Sequence, residues 1–443
     1  MLSRRHLFFA APAFAAKATL RISTFEADVT PPIGAPLCYS LVIPAAQVSS
    51  PLLARGIVLY PGGQQPIVLC AIDWLGIGSA SHDAWRESLA LAAGTSPHRV
   101  AVQTVHQHDA PGDDRAAAAL LPAGRRGLLT PVDFCIAAQQ RVAAAIGVAK
   151  PQPVTHWGSG SAIVERIASN RRILSSDGKT FAFQRFTACK QSPQCDAPEG
   201  LIDPRLKTYS FYNGDKRLAS LHYYAVHPMS YYGKGVINPD FVGIARAAIP
   251  GFHVYFTGAA GNIGAGKYND GAPANRQVLA GRLADAMRAS LATEHRHVNL
   301  RFEWRQALTN LRHRDGKDFT EASIRAVLED PEALDKNVAS AARYLAWWQR
   351  CQTPGPNTIL QALLMDGAGI VHLPGECFVE FQLGAQAERP KDQIATAAYG
   401  DYGPMYIGTK AAYVEGGYET SAVSRVAESS QDILQAATRV LLR

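Results

Sequence analysis

Residues 99–112 read RVAVQTVHQHDAPG, an apolar run rich in valine that ends in two histidines one residue apart. A short apolar run bounded by a turn signal is typical of a buried strand. Similar runs end in polar or small residues at three further places: 218–226 before His227, 253–257 before 258–262, and 369–373 before Glu376. Because ligands of open α/β sheets bind beyond the carboxyl ends of the strands, we expect these residues to lie around one site.

Apolar, β-rich runs alternate with helical patterns from residue 18 onward, and no internal repeat is visible. Further strands are predicted at 56–60, 66–72 and 299–304, and helices at 81–93, 131–148, 241–249, 274–291, 320–329 and 421–442. This alternation predicts an α/β fold with a mixed, largely parallel sheet covered by helices.

Two segments interrupt the alternation. Residues 112–130 are rich in Gly, Ala, Asp and Arg and are predicted to be a long loop. Residues 312–357 are charged and helical and end near Trp347-Trp348. They form either a helical excursion over the active site or a solvated helix pair whose aromatic residues pack on the body of the protein.

The composition limits the class of protein. Of 443 residues, 47% are hydrophobic and 18% are charged, which excludes a disordered chain. No apolar run is long enough for a transmembrane segment. The net charge is +7, but the basic residues are scattered, so nucleic acid is not an expected partner. The positive charge allows transient contact with an anionic membrane surface, and the oligomeric state is left open.

The first sixteen residues, MLSRRHLFFAAPAFAA, combine an arginine pair, a short apolar run and small residues. This pattern is typical of an export signal and favours the twin-arginine route over an ordinary secretory signal. We therefore expect a periplasmic or secreted bacterial protein. Of the seven cysteines, Cys189 and Cys195 flank a polar loop, and in an oxidising compartment they can form a disulfide.

The histidines by themselves leave alternatives open. In a strand, the side chains of His106 and His108 point to one face, as two ligands of one metal require. In a loop, one histidine can bind metal while the other faces the substrate. Without further evidence, both can equally be hydrogen-bonded loop histidines, His227 a core histidine and Glu376 a turn carboxylate.

Six ordered segments between residues 26 and 419 resemble motifs of the catalytic domain of the neutral, non-lysosomal ceramidases. They are 26–34 (EADVTPPIG), 104–112 (TVHQHDAPG), 168–171 (ASNR), 225–230 (AVHPMS), 374–376 (PGE) and 406–413 (YIGTKAAY), the last followed by 417–419 (GYE). The resemblance implies the ceramidase catalytic-domain fold for residues 17–443 as a single domain.

The resemblance also implies a catalytic zinc ion with four ligands: His106, His227, Glu376 and Tyr413. Zinc-activated water would then attack an amide carbonyl. His108 would hydrogen-bond the developing oxyanion or carry a proton, and Arg171 would orient the substrate. The identity of the general base is left open.

The sequence departs from the family pattern at several positions. The family segment G-D-x-S is replaced by Gly261-Asn262-Ile263-Gly264, so the serine is absent. Twelve residues beyond Tyr413, where a further family tyrosine would fall, the chain has Arg425. The C-terminal β-sandwich domain of full-length ceramidases is not expected either.

The leading hypothesis is an exported, zinc-dependent amide hydrolase that resembles the ceramidases and acts on N-acyl sphingoids or other N-acyl lipids, which would place it in sphingolipid or lipid metabolism. The alternatives are a zinc hydrolase of a different small amide or ester, and a non-catalytic relative that binds metal or ligand, which Gly264 and Arg425 favour. A glycosidase with a carboxylate pair drawn from Asp28, Asp73 and Asp240 is a distant alternative. Asp240 is instead expected to cap a helix.

Overall fold

The structure is a computed structural model that describes residues 19–177, 181–190 and 193–443. The predicted export signal at 1–16 lies outside these residues. Within them, the chain forms three successive units of the same topology. Each unit has three antiparallel strands, then a crossover helix and a fourth strand parallel to the third, and finally a second helix that packs on the crossover helix.

The first unit supplies strands β1 (Leu20–Asp28), β2 (Gln47–Val48), β3 (Leu53–Pro61), β4 (Ile67–Ile72), β5 (Gly76–Ile77), β6 (Val100–Thr104), β7 (Gly112–Asp113) and β8 (Gln152–Val154). Its helices are α1 (Ser79–Ala93), α2 (Arg115–Leu120) and α3 (Val132–Val148). The main sheet has the order β6-β4-β3-β1-β8.

The second unit supplies strands β9 (His156–Ile163), β10 (Ser169–Asn170), β11 (Arg172–Leu174), β12 (Phe181–Gln184), β13 (Arg205–Asn213), β14 (Lys216–Tyr224), β15 (Val236–Ile237), β16 (His253–Thr257), β17 (Ile263–Gly264) and β18 (His295–His297). Its helices are α4 (Asp240–Ala247) and α5 (Asn275–Ala292). The main sheet has the order β16-β14-β13-β9-β18.

The third unit supplies strands β19 (Glu303–Thr309), β20 (Thr358–Met365), β21 (Ala368–His372), β22 (Glu376–Cys377), β23 (Gln393–Ala397) and β24 (Tyr406–Ile407). Its helices are α6 (Glu321–Glu329), α7 (Asp335–Gln352), α8 (Val379–Glu388), α9 (Lys410–Glu415) and α10 (Ser430–Leu442). The main sheet has the order β19-β20-β21-β23.

The predicted α/β class with mixed sheets is confirmed, but most strand pairs are antiparallel. Among the described residues, each main sheet contains one parallel pair: β4 with β6, β14 with β16, and β21 with β23. Short turns explain the difference, because a two-residue turn can only join antiparallel strands. Asp366-Gly367 is such a turn between β20 and β21, and Gly367 has a φ of 69°.

The three parallel pairs are the part of the fold that positions the site. In each, a crossover helix covers the sheet, so the carboxyl ends of the two parallel strands open onto the same edge. The three units pack around one cluster of buried side chains that extends from Leu20 to Leu442. The segments that leave the six parallel strands therefore meet near the middle of the molecule.

Two predicted segments differ in detail. The segment 112–130, predicted as a loop, contains β7 and the short helix α2. Asp114 caps this helix, because its Oδ1 accepts a hydrogen bond from Ala117 N at 3.1 Å. The predicted helical excursion 312–357 contains α6 and α7. Trp347 of α7 is fully buried, and Arg343 of the same helix reaches the central cavity described below. Among the described helices, none has the length and apolar character that crossing a membrane requires.

Candidate metal centre

His106 lies two residues beyond the end of β6. Its φ of 68° is in the left-handed region, so the strand has ended and the chain turns sharply there. The ring Nδ1 lies 2.7 Å from the carbonyl oxygen of Leu75, and the ring stacks on Tyr399 at a centroid distance of 4.3 Å. His108 follows this turn and lines the central cavity described below. The ring centroids of His106 and His108 are 4.9 Å apart.

His227 lies three residues beyond β14 and is fully buried. Its Nδ1 is 2.6 Å from the carbonyl oxygen of Ala260 and 3.0 Å from that of Ile263, both in the segment that follows β16. The two parallel strands of the second unit thus supply the histidine and the carbonyl groups that orient it.

Glu376 follows β21 and has an exposed fraction of 1%. Its Oε2 lies 3.2 Å from His106 Nε2 and 2.9 Å from His227 Nε2, and its Oε1 accepts a hydrogen bond from Tyr402 at 2.5 Å. Gly375 allows this approach. Its φ is 51°, and a Cβ there would lie 2.5 Å from the carbonyl oxygen of Met405.

The three side chains fit a metal cation. Each histidine directs Nδ1 at a backbone carbonyl oxygen, which can only accept, so Nδ1 carries the proton and Nε2 is an unprotonated lone pair. Both lone pairs then point at Glu376 Oε2, another electron donor. Three buried donors facing one another repel unless a cation lies between them, and two imidazoles with one carboxylate are a frequent ligand set of catalytic zinc. Within the described residues, this is the cluster of His, Cys, Asp and Glu side chains whose ligand atoms lie within 4.8 Å of one another.

The electrostatics of the site favour an ionised Glu376 carboxylate beside a neutral His227. Burial, helped by the charge of Arg171, lowers the pKa of His227 to about 3. Burial acts to raise the pKa of Glu376, but His106 and His227 outweigh it, and the pKa lies well below its usual value. Burial also lowers the pKa of His108. At neutral pH the carboxylate of Glu376 is therefore ionised, and the imidazoles of His108 and His227 are neutral.

Arg171 lies beside the three donors and is held by two phenols. Its Nη1 donates to the hydroxyl of Tyr406 at 3.0 Å and to that of Tyr418, and the two hydroxyls are 3.3 Å apart. The Tyr406 ring also lies 6.2 Å from the ring of His227, nearly parallel to it. The two tyrosines are twelve residues apart, which is the spacing that the sequence comparison assigned to Tyr413 and Arg425.

Tyr413 and Arg425 are placed elsewhere. The hydroxyl of Tyr413 is 2.7 Å from Ser424 Oγ and donates to the carbonyl oxygen of Val426 at 2.8 Å. Arg425 is buried and donates to the carbonyl oxygen of Arg343 at 2.9 Å. The structure thus brings His106, His108, Arg171, His227 and Glu376 together, and Tyr413 is not among the residues that line their cavity.

The segment that departs from the family serine motif has a structural role. Asn262 Oδ1 accepts from Val379 N at 2.9 Å and its Nδ2 donates to Glu380 at 3.0 Å, so it fixes the start of α8. A Cβ at Gly264 would lie 3.4 Å from Arg171 Nε. Glycine at this position therefore leaves open space beside the guanidinium.

The candidate glycosidase acids are engaged in structural contacts. Asp73 forms a buried bidentate pair with Arg246 at 2.9 and 2.8 Å. Asp240 is the first residue of α4, and its carboxylate accepts from Ser230 and Phe241. The prediction that Asp240 caps this helix is therefore wrong, because Asp240 is the first residue of the helix and not the residue before it. Its carboxylate instead connects the start of α4 to the segment after β14.

A cavity of about 430 Å³ lies over the three donors. Its wall is largely apolar, with Leu41, Val42, Met229 and Val423 among the lining residues. Phe186 lies at its mouth with an exposed fraction of 61%. The size is in the range of small-molecule sites, and the apolar wall suits a hydrocarbon chain.

Sequence reasoning missed several residues of this site, namely Tyr399, Tyr402, Tyr406, Tyr418 and Arg343. A signal for three of them was present, because 393–397 is a short apolar run and 399–406 (YGDYGPMY) follows it with three tyrosines. Arg343 carries no such signal, since it lies within a charged helix.

Fold and site together define an α/β protein with a buried two-histidine, one-carboxylate centre beneath an apolar cavity. Among solved structures, the chain is similar to the neutral ceramidase from Pseudomonas aeruginosa, with a TM-score of 0.69 and 16% sequence identity over 96% of this chain and 74% of that one. It is also similar to a ceramidase complexed with C2, with a TM-score of 0.68 and 15% identity over 96% of this chain and 75% of that one. The resemblance of the six motifs is thereby confirmed as a shared fold. No family model and no curated protein matches the chain.

Proposed function

We propose that this protein is a zinc-dependent hydrolase that cleaves the amide bond of an N-acyl lipid, with His106, His227 and Glu376 as metal ligands. The observation that carries the proposal is the arrangement of these three buried donors, in which the two Nε2 atoms lie 3.2 and 2.9 Å from Glu376 Oε2. Their position under an apolar cavity supports a substrate with a hydrocarbon chain.

When bound, zinc acts as a Lewis acid toward a carbonyl group and eases the deprotonation of water. The chain's own residues supply positioning and proton transfer. Arg171, held by Tyr406 and Tyr418, presents a fixed positive charge at the cavity wall, where it can stabilise the negative charge that develops on the carbonyl oxygen. Because its partners are neutral phenols, its charge is not cancelled locally.

His108 is proposed as the proton carrier. Its Nδ1 donates to the carbonyl oxygen of His106 at 3.2 Å, so Nε2 is the unprotonated nitrogen. A neutral imidazole at the cavity wall can accept a proton from water at Nε2 and return it to the leaving amine.

The identity of a phenolic ligand is a separate proposal. The family resemblance predicts Tyr413 as this ligand. The hydroxyl of Tyr413, however, forms hydrogen bonds with Ser424 and with the carbonyl oxygen of Val426. Tyr406 lines the cavity and lies against His227. We assign to Tyr406 the place near the metal that the sequence comparison gave to Tyr413.

Zinc analysis and hydrolysis assays test the proposal together. The purified protein is expected to contain one zinc per chain and to cleave short- or long-chain N-acyl sphingosines in a chelator-sensitive reaction. His106→Ala and Glu376→Gln are expected to lose both zinc and activity, and Tyr406→Phe to lose more activity than the matched Tyr413→Phe. Turnover that persists after complete removal of metal would contradict the proposal.

Cleavage of other small amides or esters, but not of ceramides, would favour the second candidate. Gly264 supports it, because a Cβ at this position would lie 3.4 Å from Arg171 Nε, so the serine of the family pattern is missing beside the guanidinium.

Export is proposed from residues 1–16, and the disulfide between Cys189 and Cys195 agrees with an oxidising compartment. Fractionation of cells that express the full chain, compared with a variant carrying Lys at positions 4 and 5, tests it. Retention of both proteins in the cytoplasm would contradict export.

A further inference from the structure

A second guanidinium lines the cavity and has no role in the centre described above. Arg343 extends from α7, has an exposed fraction of 4%, and faces the same cavity as His106 and Glu376. Its guanidinium carbon lies 3.5 Å from the ring centroid of Tyr39 and 5.4 Å from that of Tyr402. The hydroxyl of Tyr402 in turn donates to Glu376 Oε1, so one phenol ring separates Arg343 from the metal-binding carboxylate.

The hydrogen-bonding capacity of Arg343 is largely unused. Within the described residues, its Nη2 donates to the sulfur of Met405 at 3.0 Å, and its Nε is buried without a hydrogen-bond partner. Thioether sulfur is a weak acceptor. The nearest carboxylate is Asp114, 3.9 Å from Nε, and that side chain is already the cap of α2. This buried guanidinium therefore has one N–H group without an acceptor and another on a weak acceptor.

The backbone of Arg343 is held in place by hydrogen bonds that involve Arg425. Arg425 donates from Nη1 to the carbonyl oxygen of Arg343, and Trp347 Nε1 donates to the carbonyl oxygen of Arg425 at 3.1 Å. Arg425 Nη1 also donates to the carbonyl oxygen of Gly403 at 3.4 Å, so it attaches the helix to the segment between Tyr402 and Tyr406. This contact gives a role to a residue that departs from the family pattern.

The charges of the cavity wall are unbalanced. Among the described residues, Arg171 and Arg343 line the cavity, whereas Glu376 is its lining carboxylate and is engaged with the two histidines. Asp114 lies 3.9 Å from Arg343 Nε but does not line the cavity. A divalent cation at the three donors would increase the positive excess further. A cavity of this kind favours a substrate that brings its own negative charge.

We propose that the substrate is an N-acyl amino acid, whose carboxylate binds Arg343 while its acyl chain occupies the apolar wall. This inference rests on the proposed amide hydrolase. A carboxylate matches the planar fork of a single guanidinium, whereas phosphate groups are usually held by clusters of arginine. Because one phenol ring separates Arg343 from Glu376, the carboxylate must lie within a few bonds of the scissile amide, on the amine side. Hydrolysis breaks the C–N bond, transfers the water oxygen to the acyl carbon and leaves a proton on the amino nitrogen.

The test compares N-lauroylglycine with N-lauroylethanolamine, which carries a hydroxyl group in place of the carboxylate. A charge-assisted hydrogen bond contributes about 1.5–3 kcal/mol, which corresponds to roughly 10–150-fold. The zinc-loaded wild type is therefore expected to prefer the glycine conjugate by at least tenfold in kcat/KM, mainly through KM. Arg343→Met is expected to bring the two kcat/KM values within about twofold of each other, and Arg343→Lys to retain part of the preference.

Arg350→Met is the matched control, because Arg350 lies on the same helix but pairs with Asp83 outside the cavity. It is expected to keep the full preference. Equal cleavage of both substrates by the wild type, or an unchanged preference in Arg343→Met, would overturn the proposal while leaving the amide hydrolase intact.

Equilibrium dialysis of N-lauroylglycine against wild type and Arg343→Met separates the two proposals. Binding that requires Arg343 without cleavage of any amide would support the carboxylate site and count against the hydrolase. No binding to the wild type would refute the carboxylate site. If Arg343→Met does not fold, as judged by circular dichroism, the wild-type preference and Arg343→Lys still decide the question.

Discussion

The hydrogen bond from Tyr402 to Glu376 is predicted to set the metal affinity of the site. The hydroxyl lies 2.5 Å from Oε1 of a carboxylate that is 1% exposed, while Oε2 faces the two histidines. Tyr402→Phe removes this donor and leaves the ring in place. The carboxylate then loses both a charge-assisted bond and part of its orientation.

The expected loss follows from the kind of bond. A buried hydrogen bond to a charged group contributes about 1.5–3 kcal/mol, or roughly 10–150-fold. Removal of groups that orient metal ligands usually costs about 10–100-fold in metal affinity. Since phenylalanine retains the packing of the ring against Tyr39 and His106, we expect the zinc dissociation constant of Tyr402→Phe to rise by about 10–100-fold.

Competition with a chromophoric chelator at constant pH measures this change without reference to activity. Tyr413→Phe is the matched control, because it removes the hydroxyl of another tyrosine. That hydroxyl is part-buried, and its hydrogen bonds go to Ser424 and Val426 and not to Glu376. We expect its zinc affinity to stay within about threefold of wild type, well short of the effect of losing an orienting group. Equal affinities of Tyr402→Phe and wild type would refute the role of Tyr402, and a large loss in Tyr413→Phe would support Tyr413 as a ligand.

Two further predictions concern stability. Asp73→Asn leaves the buried guanidinium of Arg246 without its charged partner, which should lower the free energy of unfolding by about 3–5 kcal/mol. Urea titration measures this free energy. The double variant Asp73→Asn/Arg246→Met should lose less free energy of unfolding than the sum of the two single variants, and strictly additive losses would contradict the pairing. Asp114 has a pKa raised by burial from 3.8 to about 6, so the folded state binds its proton more tightly than the unfolded state, and the stabilisation that this gives below pH 4 is lost as the pH rises through 6. Asp114→Asn keeps a helix cap but has no titrating group at this position. Its free energy of unfolding, relative to that of wild type, should therefore rise by about 2–3 kcal/mol between pH 4 and pH 7. An equal difference between the two proteins at both pH values would rule out the raised pKa of Asp114.

The repeated topology of the three units could not be read from the sequence. The units share the order of strands and helices, but each uses different residues at the ends of its parallel strands: histidines in the first, His227 in the second, Glu376 and the tyrosines in the third. Repetition of a backbone path requires similar patterns of burial and not similar residues.

The tyrosines show where the family spacing alone leaves a choice open. The segment 406–419 offers Tyr406, Tyr413 and Tyr418, and the family spacing fits either Tyr406 with Tyr418 or Tyr413 with Arg425. The structure has Tyr406 and Tyr418 on Arg171, because β24 pairs with β22 and so places Tyr406 beside Glu376. Strand pairing between distant segments therefore favours Tyr406, a preference that local sequence cannot give.

The sequence by itself determined the α/β class, the central strands and most helices, because hydrophobic periodicity is a local property. Through the family resemblance, its short motifs also predicted His106, His108, Arg171, His227 and Glu376 as site residues, and the structure places these side chains close together. Tertiary structure alone decided that most strand pairs are antiparallel, which tyrosines approach the site, and that Arg343 from a charged helix enters the cavity. These features depend on contacts between residues far apart in the chain, such as the 2.9 Å bond between Arg425 and the carbonyl of Arg343. A local pattern fixes which face of an element is buried, but the partner of that face is set by how all the elements pack together.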